Sequence, residues 1–536
     1  MANQYRLGAQ PIVTLPANPT WGENPLGDSN WQFQLHAMRY VLDLFTAARL
    51  TGDRAYRDRA LFLLRDWVTD NPRHSAPSVW SWNDHTTALR AVVLACAADL
   101  APTTSWLHNA LVVHGRTLAD PTFYRNEGNH ALNQDIGLLE VARVLKRSDW
   151  RRLAGSRINT LIVGSVDAQG VTNEQSIGYE AFNYKRYREA EERMLAVGLE
   201  PSAAFARLDL MPQFLAQATL PNGTYEMIGD TSGWPADVIA GTPAESAATG
   251  GASGPKPTAT ITRYEAGYLF ARSGWGEHRP AADETFLSMK WGPAPIFHGH
   301  ADGLELTLAA YGSRLLVDPG PFSYNGGIYR GFFKGRSAHN VVTVDSSTWN
   351  RAAATRLLGY RQSARYVDIR LQGAGDRGVV HTRRMTYSRG LDYILVEDRL
   401  TSASVHTYRQ LWHFVEDAQP LVGGSSVWTE RPRGNVLIRQ LAGAPQVRIV
   451  RGRTKPIQGW ISYKQGQKLA APVEEATQRG RSVRYLTLIV PAAGRPEATV
   501  SGLRLTSSGY SVTITIGGRS ERVTVSGTSV WIHELP

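Results

Sequence analysis

Residues 298–303 carry the most specific chemical pattern in this chain, His-Gly-His-Ala-Asp-Gly, and Asp318 and His339 follow downstream. In an extended segment alternate side chains point to one side, so the imidazoles of His298 and His300 project together. Imidazole and carboxylate groups make a good metal site. These three histidines and two aspartates therefore indicate metal binding, and either His298 or His300 could supply the ligand. Hydrogen-bonded histidines at a strand edge, without metal, are the alternative interpretation.

Two segments nearer the N-terminus also carry polar groups in suggestive order. Residues 126–134 read Asn-Glu-Gly-Asn-His-Ala-Leu-Asn-Gln, and they are expected to precede a helix that starts at Asp135 with Asn133 as its cap. Residues 178–188 are rich in Tyr and Arg. On its own this second segment is equally typical of an aromatic-faced helix on which two such residues sit four positions apart.

The elements that would position these groups change character along the chain. From about residue 29 to 220, apolar residues recur at spacings of three and four, which predicts at least seven amphipathic helices separated by short Gly, Pro, Asp or Asn turns. Successive helical hairpins of this kind favour a toroid or solenoid of helix pairs. We therefore expect residues 1–238 to form an α/α domain, an incomplete barrel of helix pairs.

The second half of the chain has a different period. Residues 239–259 are rich in Gly, Ala, Ser, Thr and Pro, and they are typical of a linker or long loop. Beyond them, residues 260–536 alternate apolar and polar side chains in segments such as 393–396 and 512–516. We expect a C-terminal antiparallel β-sandwich, which makes the chain an α+β multidomain protein.

These segments together resemble the heparinase II/III-like superfamily of polysaccharide lyases, including its heparinase and alginate lyase branches. Tyr184 follows Asn129 by 55 positions, a spacing similar to the family's Asn and catalytic Tyr. Tyr184 with Arg188 resembles the heparinase branch, and Glu180 with Tyr184 resembles the alginate lyase branch. The family's architecture, an α/α toroid followed by a β-sandwich, is the one that the periodicity predicts independently.

The resemblance implies roles for individual residues. It gives Tyr184 the proton-transfer role, with Tyr179 as the second choice. Asn129, His130 and His298 would bind the uronate carboxylate or assist catalysis. His300, Asp318 and His339 would hold one structural zinc ion. The expected substrate contacts come from the aromatic and basic residues of these segments and of two loops, namely Tyr179, Arg186, Tyr187, Arg188, Trp82, Tyr324 and Arg336.

The chemistry of a uronate lyase agrees with these residue types. The enzyme removes a C5 proton next to a carboxylate, and this requires donors that stabilise the developing negative charge. A Tyr near Arg186 or Arg188 could accept that proton and return one to the leaving oxygen. Because Tyr184 and His298 belong to different halves of the chain, we expect the halves to form the site together.

Composition favours an acidic polysaccharide as the partner. The net charge is +11, and 50 of the 58 basic residues are Arg, which pairs well with carboxylates and sulfates. The basic residues are spread out rather than gathered in runs, which argues against nucleic acid, and no apolar run is long enough for a membrane span. Arg enrichment is equally typical of a compositional bias, and a Lys/Arg cluster for a heavily sulfated ligand is lacking. Nothing in the sequence indicates an oligomeric state.

Compartment and redox state are less constrained. Cys96 is the single cysteine and lies in an apolar stretch, so it is expected to be an inert buried thiol. The N-terminal residues lack the features of an export signal, as in a cytoplasmic protein or one whose signal is absent from this sequence. An acidic polysaccharide substrate favours a secreted or periplasmic protein.

Two other functions fit parts of the pattern. A glycoside hydrolase on the same toroid would need paired carboxylates, for which Asp84, Glu127, Asp135, Glu174 and Glu180 are candidates. A glycan-binding protein that keeps the fold without turnover is the other alternative. An unsaturated product would distinguish a lyase from both.

Overall fold

The computed structural model describes two compact units. It covers residues 3–8, 10–76, 78–101, 104–324, 326–345, 349–350, 352–373, 375–376 and 378–536. The helical unit comprises Met1–Ala168 and Phe182–Leu208. The sheet unit comprises Gln169–Ala181 and Asp209–Pro536.

The first part of the chain is helical, as the apolar spacing predicts. The α-helices there are α1 (Ser29–Ala37), α2 (Val41–Thr51), α3 (Arg54–Asp70), α4 (Asp84–Leu100), α5 (Ser105–Ala119), α6 (Gly128–Leu145), α7 (Ser148–Ser165), α8 (Ile177–Ala196) and α9 (Met211–Gln217). Side-chain caps fix several starts: Asp53 accepts from Ala55 N at 2.9 Å and Asn83 from His85 N at 3.0 Å. Among the described residues, no helix combines the length and apolar character needed to cross a bilayer.

One predicted helix boundary is wrong. Helix α6 begins at Gly128 rather than near Asp135, so Asn129 and His130 lie in its first turn. Asn133 is not a cap, because its amide donates to Asn129 O at 2.7 Å within the helix. A cap residue accepts from the backbone N–H groups that follow it, whereas this amide bonds a carbonyl one turn earlier.

The boundaries between the two compact units lie at different positions from the domain boundaries that the composition predicts. Residues 209–238 belong to the sheet unit, where Phe214 packs against Tyr264 and Phe270 with ring centroids 4.8 and 5.6 Å apart. The predicted linker, residues 239–259, contains helix α10 (Pro243–Ala248), whose Ala244 is buried. The segment is therefore partly folded onto the sheet unit, although its Gly, Ala and Ser content is that of a loop.

The rest of the sheet unit consists of antiparallel sheets. A meander of five strands contains β3 (Ile261–Tyr264), β4 (Tyr268–Arg272), β5 (Phe286–Lys290), β6 (Leu306–Ala310) and β7 (Ser313–Leu316). A ten-stranded sheet contains β8 (Val342–Val344), β9 (Thr355–Gln362), β10 (Tyr366–Gly373), β11 (Val379–Ser388), β12 (Tyr393–His413), β13 (Pro420–Gly423), β14 (Ser426–Thr429), β15 (Asn435–Ala442), β16 (Gln446–Arg451) and β21 (Pro472–Ala492). A second meander contains β22 (Thr499–Leu505), β23 (Gly509–Ile516), β24 (Arg519–Ser526) and β25 (Ser529–Leu535).

Shorter elements complete the described chain. The two-stranded pairs are β1 (Gln4–Arg6) with β2 (Ile12–Thr14), β17 (Arg453–Thr454) with β18 (Ile457–Gln458), and β19 (Trp460–Ile461) with β20 (Leu469–Ala470). Helix α11 spans Ile328–Phe333, and 3₁₀ turns cover Ala203–Asp209, Ala281–Asp283 and Arg336–Ala338.

The ten-stranded sheet buries both of its faces. Along β12, Ile394 and Val396 join a core that includes residues of the five-stranded meander. The alternate residues Tyr393 and Leu395 join a second core with the four-stranded meander. Successive side chains of a strand point to opposite faces, so this apolar run is what a central layer requires.

The long strand β21 carries a buried acid that should make stability depend on pH. Glu474 is fully buried, Gln440 Nε2 lies 3.5 Å from its Oε1, and burial raises its pKa from 4.5 to about 8. A raised folded-state pKa means that the native state holds more protons than the unfolded state between these values. The contribution of protonated Glu474 to the free energy of unfolding is therefore at its maximum below pH 4.5 and is lost as the pH rises toward 8.

We predict that Glu474→Gln removes this dependence. The melting temperature of the variant, measured relative to that of the wild type, should rise by several degrees, in order of magnitude, as the pH is raised from about 5 to about 8.5. Thermal unfolding of both proteins across this range provides the test. A constant difference between them at every pH would contradict the assignment.

Candidate functional site

His298 lies at the end of a tight turn with both ring nitrogens facing carboxylates. Gly299 N donates to Ile296 O at 2.8 Å and closes the turn. His298 Nδ1 lies 3.0 Å from Asp230 Oδ2, and Nε2 lies 3.6 Å from Glu174 Oε2. The side chain keeps 19% of its surface exposed. The Nδ1 side of the ring is thus held tightly, while the ring remains accessible to a ligand.

Tyr179, from the first turn of α8, stacks directly on this imidazole. The ring centroids of Tyr179 and His298 are 3.4 Å apart and the planes differ by 9°. The Tyr179 hydroxyl lies 2.8 Å from the hydroxyl of Tyr324. Burial raises the pKa of Tyr179 well above its ordinary value, and burial together with Asp230 raises that of Tyr324 to about 12. Both phenols therefore carry their protons near neutral pH.

The Asp230 carboxylate connects several of these groups. Its Oδ2 lies 3.0 Å from His298 Nδ1, and its Oδ1 lies 3.0 Å from His300 Nε2. Arg330 donates to both oxygens, at 2.5 and 2.7 Å. Burial by itself would raise the pKa of Asp230, but the hydrogen bonds from Arg330, His298 and His300 hold it well below its ordinary value. The group is therefore a carboxylate at any physiological pH.

Glycine lets three loops come this close. Gly229 has φ +67°, and a Cβ there would lie 2.5 Å from Gln175 O and 2.9 Å from His298 O. The next residue, Asp230, donates its N–H to His298 O at 3.0 Å. Gly299 is packed just as closely, because a Cβ would overlap the Gln175 amide. A side chain at either glycine would push the His298 turn away from Asp230.

A second, fully buried cluster lies beside the first. One ligand atom from each of His300, Asp318 and His339 lies within 4.8 Å of the others. His300 Nδ1, Asp318 Oδ2 and His339 Nε2 are buried and accept or donate no hydrogen bond within the described part of the chain. Buried polar atoms without partners are costly, and a bound cation would satisfy all three. These residues therefore fit a metal ion.

The remaining nitrogens of the two histidines are bonded as metal ligands usually are. His300 uses Nε2 toward Asp230, and His339 Nδ1 lies 2.9 Å from Glu305 Oε2. Carboxylates on the second nitrogen orient histidine ligands in zinc sites. Burial by itself would lower the pKa of His339, yet Glu305 and Asp318 raise it well above its ordinary value. The Glu305 and Asp318 carboxylates thus favour a positive charge at this cluster, which a metal cation would supply.

Asn129 and His130 lie in the helical unit within a separate polar group. His130 Nδ1 lies 2.9 Å from Asp84 Oδ2, and Arg125 Nε donates to the same oxygen at 2.7 Å. The His130 and His85 rings are 4.3 Å apart. Although burial raises it, the pKa of Asp84 is lowered overall by His130 and Arg125. His130 keeps 47% of its side chain exposed, so it remains available to a ligand.

Tyr184 lies further along α8, also in the helical unit, and its basic neighbours have acidic or amide partners. The Arg188 guanidinium is 5.6 Å from the Tyr184 ring centroid and donates to Glu191 at 2.8 Å. Arg186 bonds the Asn133 side chain. Because Tyr184 and His298 belong to different units, the expectation that they act on one sugar stays a prediction.

Two predicted substrate contacts are packing residues instead. Tyr187 is 2% exposed and meets Phe205 edge to face at 6.4 Å. Trp82 is half-buried, donates to Asn71 O at 2.9 Å and packs 4.7 Å from the His114 ring. Neither side chain is presented as a sugar platform, since the helical core occupies their faces.

Arg336 is also buried rather than open to a polymer. Its Nη1 donates to Gly303 O at 2.6 Å, and its guanidinium lies 3.8 Å over the Trp349 ring. It lines a cavity of about 540 Å³ together with Asp376 and other residues of the sheet unit. We therefore leave Arg336 out of the proposed substrate contacts.

Sequence reasoning missed two carboxylates that hold the histidines in place. Asp230 and Glu305 each bond an imidazole, but they lie 70 and 34 positions away from it in sequence. The one local signal for Asp230 is the glycine before it, which indicates a turn. The sequence offers Glu174 only as a candidate carboxylate of a hydrolase, and its contact with His298, like that of Arg330 with Asp230, depends on the tertiary fold.

The site combines an accessible His–Tyr stack with a buried metal-type cluster, on antiparallel sheets that follow a helical region. The heparinase II/III N-terminus model matches residues 8–242, and the heparinase II/III-like C-terminal model matches residues 263–503. Together the two matches span most of the chain, which belongs to the heparinase II/III-like family.

Individual relatives agree with this assignment. A heparin-sulfate lyase of Pedobacter heparinus is 22% identical over 547 residues, covering 94% of this chain and 81% of the relative. A heparin-sulfate lyase of Bacteroides thetaiotaomicron is 21% identical, covering 92% and 77%. The crystal structure of a heparinase III has a TM-score of 0.82 at 18% identity, covering 94% of this chain and 85% of that one. This structural likeness shows a shared fold.

We predict one zinc ion per chain, bound by His300, Asp318 and His339. Elemental analysis of protein dialysed with limiting zinc should give one equivalent for the wild type and a small fraction of that for His339→Ala. His406→Ala, which removes a histidine paired with Asp345 elsewhere in the sheet unit, should keep its zinc. Equal metal content in all three proteins, or none in the wild type, would contradict the assignment.

Proposed function

We propose that this protein cleaves a uronate-containing glycosaminoglycan of the heparan sulfate kind by β-elimination. The observation that carries the proposal is the Tyr179–His298 stack, in which the imidazole is held by Asp230 and remains accessible. Membership of the heparinase II/III-like family and the heparin-sulfate lyase relatives support the substrate class. The lack of a Lys/Arg cluster favours sparsely sulfated chains.

The reaction assigns a task to each side chain. The C5 proton leaves, the C4–O bond breaks, a C4=C5 double bond forms, and the leaving oxygen takes up a proton. Neutral or cationic donors must stabilise the charge that develops on the uronate carboxylate. We propose His298, Asn129 and His130 for that task, because an imidazole or amide can donate to a carboxylate oxygen.

The proton carrier is a tyrosine. The sequence favours Tyr184 and gives Tyr179 as second choice, whereas we now propose Tyr179. It contacts His298 directly, and its hydroxyl meets that of Tyr324, so a proton can be passed along a short hydrogen-bonded path. Because its pKa is raised, the Tyr179 phenol holds its proton before substrate binds and serves first as a hydrogen-bond donor. A substrate bound with cationic neighbours would have to lower that pKa before Tyr179 acts as the base.

We propose a structural role for zinc. When bound, the ion would supply a fixed positive charge and satisfy the buried ligands His300, Asp318 and His339. The His298 turn lies two residues before His300, so the metal would keep it in place. His298, Asn129, His130 and Tyr179 would carry the chemistry.

The same comparisons support finer structural inferences. We infer that the helices form an incomplete α/α toroid and that the sheets form a β-sandwich, since the heparinase III structure is similar over most of both chains. We also propose that the protein acts outside the cytoplasm, in the periplasm or in the medium, because polymeric glycosaminoglycans are met there.

The glycoside hydrolase alternative loses support because two of its candidate carboxylates, Asp84 and Asp135, are occupied. Asp84 is bound by His130 and Arg125. Asp135 is fully buried, accepts from Tyr124 at 2.8 Å, and has a pKa raised by burial to about 8. A hydrolytic pair needs two carboxyl groups facing one bond with a water.

The nature of the product tests the proposal. We predict that heparan sulfate gives oligosaccharides with the ultraviolet absorbance of an unsaturated uronate, and that heparin, chondroitin sulfate and alginate are cut more slowly. Mass spectrometry should find no added water at the cut. Reducing ends without new absorbance would indicate a hydrolase, and binding without turnover would indicate a glycan-binding protein.

Paired substitutions test the proton carrier. Tyr179→Phe removes a hydroxyl and keeps the ring, so folding should survive while kcat falls about 10²–10⁴-fold. Tyr184→Phe is the matched comparison on the same helix, and its kcat should stay within about tenfold of the wild type. The reverse result, with Tyr184→Phe inactive and Tyr179→Phe active, would return the role to Tyr184.

A further inference from the structure

We propose that Asp230 is a positioning residue that couples the metal-type cluster to His298. The catalytic half of this inference rests on the proposed lyase function, whereas the metal half does not. Asp230 is only 5% exposed, and it does not contact the atoms that are proposed to bind zinc. It acts through the two histidines that it binds.

The carboxylate is saturated by its partners. An ionised carboxylate has about four lone-pair sites. Those of Asp230 face His298 Nδ1, His300 Nε2 and two nitrogens of Arg330. The bidentate arginine fixes the plane of the carboxylate, so each histidine meets an oxygen whose direction is set.

This arrangement selects one tautomer for each ring. His300 donates from Nε2, which leaves Nδ1, the buried atom without a hydrogen bond in the described structure, to bind a metal. His298 donates from Nδ1, which leaves Nε2, 3.6 Å from Glu174 Oε2, as the atom that faces a substrate, and only an imidazolium donates from both nitrogens. Without the Asp230 carboxylate, neither choice would be enforced, and both rings could rotate.

Thr231, the residue after Asp230, also helps to position Tyr179. Thr231 Oγ1 accepts from Gly178 N at 2.9 Å and lies 2.9 Å from Ser176 Oγ. Gly178 directly precedes Tyr179 at the start of α8. A single turn therefore orients both members of the His–Tyr stack and one metal-binding histidine.

A matched control exists elsewhere in the sheet unit. Asp368 is also buried, and Arg384 binds both of its oxygens, at 2.7 and 2.9 Å. Asp368→Asn and Asp230→Asn thus remove the same charge from the same kind of arginine pair. Only Asp230 is bonded to the histidines, so effects beyond lost stability should be confined to its variant.

The experiment uses Co²⁺ as the metal probe and measures kcat and KM on heparan sulfate. Asp230→Asn should weaken Co²⁺ binding about 10–100-fold and shift its visible absorption, because an outer-shell carboxylate is lost. It should lower kcat by about 10²-fold and change KM by less than about threefold. Asp368→Asn should keep the Co²⁺ affinity, the spectrum and kcat. His298→Ala should keep the affinity and the spectrum.

Specific outcomes would overturn the inference. Wild-type Co²⁺ affinity in Asp230→Asn, or a fall in kcat no larger than that of Asp368→Asn, would reduce Asp230 to a structural residue. If the wild type forms no unsaturated product from any acidic polysaccharide, the proposed function fails by itself. The Co²⁺ comparison between the two Asn variants then still decides whether Asp230 controls the metal cluster.

Discussion

The rest of the site depends on the hydrogen bonds and ion pairs that the Asp230 carboxylate makes. A buried carboxylate is stable only when it is fully paired. Asp230 is paired with Arg330 and with two histidines, His298 and His300, for which we propose different roles. His298 is held toward the accessible surface and His300 toward the buried cluster. Because both are bound by one carboxylate, the proposed structural and catalytic parts of the site cannot be adjusted independently.

The proposed β-elimination requires this rigidity. A uronate lyase must stabilise a charge that exists only while the C5 proton is leaving, and donors fixed beforehand do so without reorganisation. The layered sheets provide the support, since the His298–His300 turn precedes β6 and Asp318 follows β7 of one buried meander. A metal ion bound by His300, Asp318 and His339 would join these loops. It would also satisfy buried polar atoms that have no hydrogen-bond partner within the described residues.

The sequence predicts those features that depend on local spacing. The His-x-His segment with Asp318 and His339 identifies the metal-type cluster, and period-two runs such as residues 393–396 predict strands. Asp230 could not be found in this way, because it meets its histidines across 68 and 70 positions. Tyr179 and Tyr184 are five residues apart on one helix and project in different directions, so the spacing from Asn129 could not decide between them.

The central claim is that Tyr179 and His298 act as one catalytic unit in a lyase, and a double-mutant cycle tests it most directly. The kcat of Tyr179→Phe, His298→Ala and the double variant would be measured on heparan sulfate by the appearance of unsaturated product. The account predicts that the double variant is about as slow as the slower single variant, because either change disables the same step. Losses that multiply, or a Tyr179→Phe variant as active as the wild type, would contradict it.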